Sequence, residues 1–92
     1  MISIDLKGRT ALVTGATRGI GRAIAGTLAQ AGARVAVAGR DAARAAEAAA
    51  SIDSSAIGLA ADMATVADVQ RLVEDVEQAF GTLDILVNNA GV

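Results

Sequence analysis

The stretch Thr14-Gly15-Ala16-Thr17-Arg18-Gly19-Ile20-Gly21 decides the fold of this chain. It lies between an apolar, strand-like run at residues 10–13 and a helix-like run at residues 20–31. At such a junction, Gly15 permits a tight turn, Gly19 lets main chain approach a pyrophosphate, and Gly21 lets the helix pack against its strand. The helix N-terminus offers unpaired N–H groups and partial positive charge to an anion. The stretch therefore predicts a dinucleotide phosphate loop.

The rest of the chain alternates strand-like and helix-like runs. We predict strands at residues 10–14, 34–38, 56–61 and 83–87, and helices at 20–31, 41–51 and 66–80. The third strand is interrupted by Gly58. This order predicts an α/β fold, a Rossmann-like doubly wound parallel sheet with strand order 3-2-1-4 and a ligand crevice between strands one and four. We expect residues 1–92 to form one domain whose fold is incomplete after the fourth strand.

Side-chain spacing predicts the caps and buried faces of the helices. The second helix should begin after Asp41 as N-cap, and the third after Thr65, with Asp68 completing a capping box. The first helix should bury the stripe Ile20, Ile24 and Leu28. The third helix should bury a longer apolar stripe of Val66, Val69, Leu72, Val73, Val76 and Phe80.

Composition excludes several classes of function. The chain has 92 residues, is 53% hydrophobic and has a mean hydropathy of +0.48, too apolar for a disordered segment. Its apolar runs are shorter than the ~20 residues that a membrane span needs, and residues 1–6 do not resemble a signal peptide, so we expect a cytoplasmic protein. A net charge of −2 without a basic stripe disfavours nucleic acid as a partner. The absence of Cys and His excludes zinc sites, disulfides and thiol or imidazole catalysis, and we assign no metal ligand.

Two motifs resemble signatures of the short-chain dehydrogenases/reductases. The first is Thr-Gly-x-x-x-Gly-x-Gly in the loop, and the second is Asn88-Asn89-Ala90-Gly91 after the fourth strand, about seventy residues later. The resemblance implies a nicotinamide dinucleotide cofactor and hydride transfer between a carbonyl and an alcohol. It also implies that the loop binds this cofactor through Gly15, Thr17, Arg18, Gly19, Ile20 and Gly21.

The resemblance assigns further cofactor contacts at two strand ends. After the third strand, Asp62 would contact the adenine amino group, with the backbone of Met63 beside it, and Asp62 can also begin the turn into the third helix. After the fourth strand, Asn88 would mainly tie neighbouring strands together. The other members of that motif would border the cofactor ribose: Asn89, Ala90 and Gly91.

The end of the second strand bears on which dinucleotide binds. An NAD-binding unit places Asp or Glu about twenty residues beyond the loop to hold the ribose hydroxyls, and here Gly39 occupies that position. Arg40 follows, with a guanidinium suited to a 2′-phosphate. Asp41 could serve as the ribose acid, but it fits better as a helix cap. With Arg18, the pair Gly39-Arg40 resembles NADP-preferring members of the family, so we predict NADP, with NAD possible.

Two other nucleotide-binding classes fit less well. A P-loop needs Gly-Lys-Ser/Thr at its end, whereas this chain has Gly21-Arg22-Ala23 and so lacks both the phosphate lysine and the magnesium hydroxyl. A methyltransferase-like domain would also place an acid after the second strand, which Gly39 does not supply.

Catalysis in the family depends on residues that this chain lacks. There, a Tyr acts as general acid/base, a Lys about three residues later lowers its pKa, and a Ser polarises the substrate oxygen. This chain contains no Tyr, and its single Lys is Lys7, ahead of the first strand. We therefore assign no catalytic residue, expect residues 1–92 alone to be inactive, and expect a carbonyl or alcohol substrate only with the second half of the fold.

An alternative function is a stand-alone nucleotide-binding or interaction module without catalysis, and a third is a purely structural protein. In each case the fourth strand would be an edge strand containing Ile85, Leu86 and Val87, with no Lys or Pro to discourage pairing. We therefore expect a homo-oligomer. Residues 1–92 alone should pair edge to edge, remain attached to the rest of an enzyme, or be partly molten.

Overall fold

The structure, a computed structural model, describes residues 5–17, 19–62 and 65–89. Strands and helices alternate along the chain: β1 (Thr10–Thr14), α1 (Gly19–Gln30), β2 (Arg34–Gly39), α2 (Ala42–Ile52), β3 (Ile57–Ala60), α3 (Val66–Phe80) and β4 (Ile85–Asn88). The predicted order is confirmed, and each predicted boundary lies within about two residues of the observed one, as expected for helix and strand ends. None of the helices in these described ranges is long and apolar enough to cross a membrane.

The four strands form one parallel sheet in the order β3-β2-β1-β4, as predicted. Thr14, the last residue of β1, aligns with Ala38 of β2 on one side and Asn88 of β4 on the other. The carboxyl ends of these three strands therefore meet at one edge of the sheet. Because strand order reverses at β1, the crevice beside β1 and β4 is the topological switch point, where ligands bind in doubly wound sheets.

Helices cover both faces of the sheet. Alternate residues of β1 and β2 point to opposite faces, so one apolar strand supplies two separate cores. On one face α1 and α2 complete a cluster of Ala11, Val13, Ala25, Val35, Val37, Ala48 and Ala49. On the other face α3 completes a cluster of Leu12, Ala36, Ala38, Ala61, Leu72 and Val76.

Two residues of the predicted helix stripes are exposed, so those predictions were wrong. Ile20 is 75% exposed and Val66 is 74% exposed. Each lies in the first turn of its helix. In α1, the buried positions are instead Gly21 and Ala25, because the helix start packs too closely on the sheet edge for a large side chain.

The N-caps are confirmed, but the predicted capping box is only half present. Asp41 Oδ1 accepts a hydrogen bond from Arg44 N at 3.1 Å, and Thr65 Oγ1 accepts one from Asp68 N at 3.2 Å. The Asp68 carboxylate does not accept a hydrogen bond from Thr65 N, because that N–H donates to Asp62 O at 3.2 Å. It accepts instead from Asp62 N at 2.7 Å, so it ties α3 to the residue that follows β3.

Gly58 does not interrupt β3, contrary to the prediction, and the strand runs through it. A Cβ at this position would lie 2.6 Å from Ala46 N of α2 and closer still to the Ala45 carbonyl. The alanine-rich helix α2 therefore packs with its main chain against β3, and glycine provides the room.

The outer edge of β4 has no strand beside it in the described part of the chain. Leu86 on this strand is 56% exposed, and an apolar cavity of about 180 Å³ lies between β4 and α3. Its apolar walls are Leu12, Val69, Leu72, Val73 and Leu86. This side of the sheet is therefore only partly covered in the described fold.

Candidate functional site

The turn after β1 places an open helix N-terminus at the carboxyl edge of the sheet. Gly15 and Gly19 have φ values of 62° and 64°, in the left-handed region that favours glycine. Ala16 N donates to Ala38 O at 3.3 Å, which holds the turn against β2. A Cβ on Gly19 would meet no atom within 4 Å. The first-turn N–H groups of α1, which have no acceptor inside the helix, are therefore available to an anion.

Gly21 holds α1 directly against this turn. A Cβ at Gly21 would lie 2.7 Å from Asn89 Nδ2 and 3.0 Å from the Gly15 carbonyl carbon, and closer still to its oxygen. Asn89 Nδ2 donates to that same Gly15 oxygen at 3.3 Å. The residue after β4 therefore helps to position the turn after β1, a contact that the sequence analysis did not foresee.

Thr14 joins β1 to β4 at the switch point. Its hydroxyl donates to Asn88 Oδ1 at 3.0 Å and accepts from Asn89 N at 3.0 Å. Asn88 thus ties two strands, the role that the resemblance implied. No side-chain role was predicted for Thr14, although its position as the last residue of a central strand was an available signal.

The end of β2 brings Thr17 and Arg40 to the same edge. A Cβ on Gly39 would lie 2.6 Å from Thr17 Cγ2, so the Thr17 methyl group packs onto this glycine. Arg40 follows as an exposed residue. Asp41, the competing candidate for a ribose acid, uses one carboxylate oxygen to cap α2.

Asp62 lies exposed after β3, at the same edge of the sheet. Ala61 N donates to Gly39 O at 2.9 Å, which aligns this strand end with that of β2. Arg71 donates to Ala60 O at 2.9 Å and lies 3.8 Å from the Asp68 carboxylate, which holds Asp62 N. Asp68 and Arg71 thus support the main chain at Asp62; the sequence analysis missed Arg71, and its spacing three residues from Asp68 was the available signal.

The remaining predicted site residues are one exposed residue of α1 and four that lie outside the described ranges. Of the loop residues, Ile20 lies exposed in the first turn of α1, beside Gly19. Four others lie outside the described residues: Arg18, Met63, Ala90 and Gly91.

With this geometry established, the comparisons with known proteins decide the family. The family model described as short chain dehydrogenase matches residues 9–92. The chain belongs to the short-chain dehydrogenase family. A sorbitol dehydrogenase from Cereibacter sphaeroides is 44% identical over 87 residues, which are 95% of this chain and 34% of that protein. An L-rhamnose 1-dehydrogenase (NAD(P)(+)) from Azotobacter vinelandii is 44% identical and is matched over 100% of this chain and 38% of its own length.

A solved structure is similar to this chain in both fold and sequence. The Pseudomonas aeruginosa RhlG/NADP active-site complex superposes with a TM-score of 0.89 at 42% identity, covering 98% of this chain and 37% of that one. Members of this oxidoreductase family bind a nicotinamide dinucleotide, and the complex supports such a cofactor here. The chain spans about a third of the length of the curated relatives that it matches.

Proposed function

We propose that residues 1–92 form the cofactor-binding part of a short-chain oxidoreductase that interconverts a carbonyl and an alcohol by hydride transfer, with NADP(H) preferred. The observation that carries this proposal is the open N-terminus of α1 at the switch point of the sheet. Gly19 leaves free space there, and Gly21 with Asn89 holds the turn in place. This combination suits a pyrophosphate that is bound by main-chain N–H groups.

The described residues fit an extended dinucleotide along the carboxyl edge. The pyrophosphate would lie at Gly19, the adenosine ribose at Gly39 and Arg40, and the adenine near Asp62. The nicotinamide, when bound, supplies the hydride donor or acceptor. The protein's part here is to bind and orient the cofactor.

Three features at the end of β2 favour NADP. Gly39 supplies no carboxylate for the ribose hydroxyls, and Asp41 is engaged as the cap of α2. Arg40 forms no ion pair with any described carboxylate, so its guanidinium is available to a 2′-phosphate. A charge-assisted hydrogen bond of this kind contributes about 1.5–3 kcal/mol.

Replacing Arg40 tests the cofactor preference. We expect Arg40→Asp to weaken NADP binding by about tenfold or more while NAD binding is spared, because only the 2′-phosphate interaction is lost. Calorimetric titration with both cofactors measures this change. Arg34→Asp, at the opposite end of β2, makes the same change in net charge far from the site and should leave both affinities unaltered. Equal NAD and NADP affinities in the unmutated protein would contradict a role for Arg40.

Activity should require more than residues 1–92. The chain contains no Tyr that could serve as the family's proton donor. We expect the isolated segment to show no NADPH-dependent carbonyl reduction above background. Ketone reduction by residues 1–92 that is lost in Gly19→Asp would show that this segment carries its own catalytic groups.

The uncovered side of β4 is the observation that favours the alternative, a stand-alone module. Such a module would cover Leu86 and the neighbouring cavity by pairing with another chain. The longer relatives favour the enzyme instead, because about two thirds of their length lies outside the match. The mass of the encoded protein distinguishes the two functions. A mass close to that of the longer relatives supports the enzyme, and a mass close to that of residues 1–92 supports the stand-alone module.

A further inference from the structure

Position 39 favours glycine because of the side chain packed against it, and not because of its backbone conformation. Gly39 is absent from the described glycines with positive φ, so an ordinary residue could adopt its main-chain conformation. The obstacle is the Thr17 methyl group, which would lie 2.6 Å from a Cβ at this position. Carbon atoms in favourable contact stand about 3.5–4.0 Å apart, so any side chain at residue 39 would overlap Thr17 in its present rotamer.

The main chain on both sides resists relief of this overlap. On the loop side, Ala16 N donates to Ala38 O at 3.3 Å, and on the strand side Ala61 N donates to Gly39 O at 2.9 Å. Moving the loop or the strand end apart would lengthen one of these bonds. Thr17 is also β-branched, which restricts the rotamers it could adopt instead.

We propose that Thr17 is a specificity-determining residue, whose methyl group occupies the room that a ribose-binding carboxylate at position 39 would need. The selection against NAD is then made by two residues together. Gly39 provides no acid, and Thr17 prevents one from fitting. This inference rests on the proposed dinucleotide function and adds a residue that acts through space on the cofactor's ribose subsite.

The proposal makes the two positions interdependent. In Thr17→Ala the methyl and hydroxyl are gone, and the nearest remaining atom of the side chain is Cβ. That atom lies 3.8 Å from a Cβ at position 39, an ordinary contact distance. A carboxylate introduced at residue 39 should therefore reach the ribose hydroxyls only when residue 17 is small.

The test is a four-member cycle made in the full encoded protein: unmutated, Thr17→Ala, Gly39→Asp and the double variant. NAD and NADP affinities are measured by calorimetry. We expect Gly39→Asp alone to gain no NAD affinity, and the double variant to bind NAD about tenfold more tightly than the single one does. The two variants that carry Gly39→Asp should lose NADP affinity, because the new carboxylate repels a 2′-phosphate.

An uncharged pair separates the steric effect from the charge. In the full encoded protein, Gly39→Ala should lower the melting temperature by roughly 2–4 °C for each ~1 kcal/mol of overpacking, and adding Thr17→Ala should recover most of that loss. If Gly39→Asp fails to fold, recovery of folding and NAD binding in the double variant still supports the proposal. A double variant that remains unfolded, or an uncharged pair without recovery, overturns it.

The outcomes distinguish this inference from the function on which it rests. If the unmutated protein binds NADP and Gly39→Asp alone gains NAD affinity equal to that of the double variant, Thr17 has no role and the proposed function stands. If no member of the cycle binds either dinucleotide, the proposed function fails and the specificity role fails with it. A melting temperature that recovers when Thr17→Ala is added to Gly39→Ala would then show only that residues 17 and 39 pack against each other.

Discussion

Replacing Gly21 by alanine tests the contact that seats α1 on the phosphate loop. The added Cβ would lie 2.7 Å from Asn89 Nδ2 and 3.0 Å from the Gly15 carbonyl carbon. The Gly15 oxygen, closer still, already accepts the Asn89 amide at 3.3 Å. Because one obstacle is main chain, the Cβ fits only if the helix moves away from the turn, and the Asn89 side chain must shift as well.

Three terms set the size of the effect. Overpacking costs about 1–3 kcal/mol, and losing the Asn89 bond costs about 0.5–1.5 kcal/mol. Alanine's better helix propensity returns up to ~1 kcal/mol. We therefore expect Gly21→Ala to lower the free energy of unfolding by about 2 kcal/mol. In the full encoded protein, whose relatives are about three times as long as this chain, that corresponds to a fall in Tm of roughly 4–8 °C. Affinity for the dinucleotide should fall as well, because the turn is displaced.

Gly26→Ala is the matched control in the same helix. A Cβ at Gly26 meets nothing within 4 Å, so this change should stabilise the protein by up to ~1 kcal/mol through propensity alone. Far-UV circular dichroism follows both melts. Equal shifts in the two variants, or a Gly21→Ala variant as stable as the unmutated protein, would refute the packing argument.

Other parts of the fold give three further predictions. Gly58→Ala should destabilise the protein by about 1–3 kcal/mol in urea unfolding, because its Cβ would overlap the main chain of α2; an unchanged midpoint would contradict this. Leu86→Lys should shift isolated residues 1–92 toward monomer in sedimentation velocity at micromolar concentration, and unaltered association would argue against pairing through β4. A hydrogen bond from the Ser55 hydroxyl, then one from its backbone N–H, lowers the pKa of Asp53 from its ordinary 3.8. This stabilisation is present above about pH 4 and is lost as the pH falls through the lowered pKa, so Asp53→Asn should reduce the difference between melts at acidic and neutral pH, and an unchanged difference would exclude it.

Short-range patterns predicted most of the fold correctly. The unbroken apolar run of β1 predicted a strand covered on both faces, and it is buried throughout. Asp41 and Thr65 were identified as N-caps because a cap depends on residues only three positions away. Strand order followed from the glycine-rich turn after β1 and from the handedness of parallel crossovers.

Burial at the helix starts could not be predicted in the same way. The spacing of Ile20 with Ile24 and of Val66 with Val69 is correct for a helix, yet Ile20 and Val66 are exposed. Periodicity identifies one face of a helix, but it does not indicate which residues of the first turn are covered by the sheet edge; in α1 Gly21 is buried and Ile20 is not. That depends on the placement of the neighbouring strand ends.

The sequence by itself determined the alternation of strands and helices, the turn with its glycines, and the absence of an acid at position 39, since each is a property of adjacent residues. Only the tertiary structure decided why particular glycines are needed. Gly21 makes room for Asn89, Gly39 for Thr17 and Gly58 for α2. Each of these contacts joins segments that are distant in the sequence, and their separation in space is set by how the helices and loops pack on the sheet.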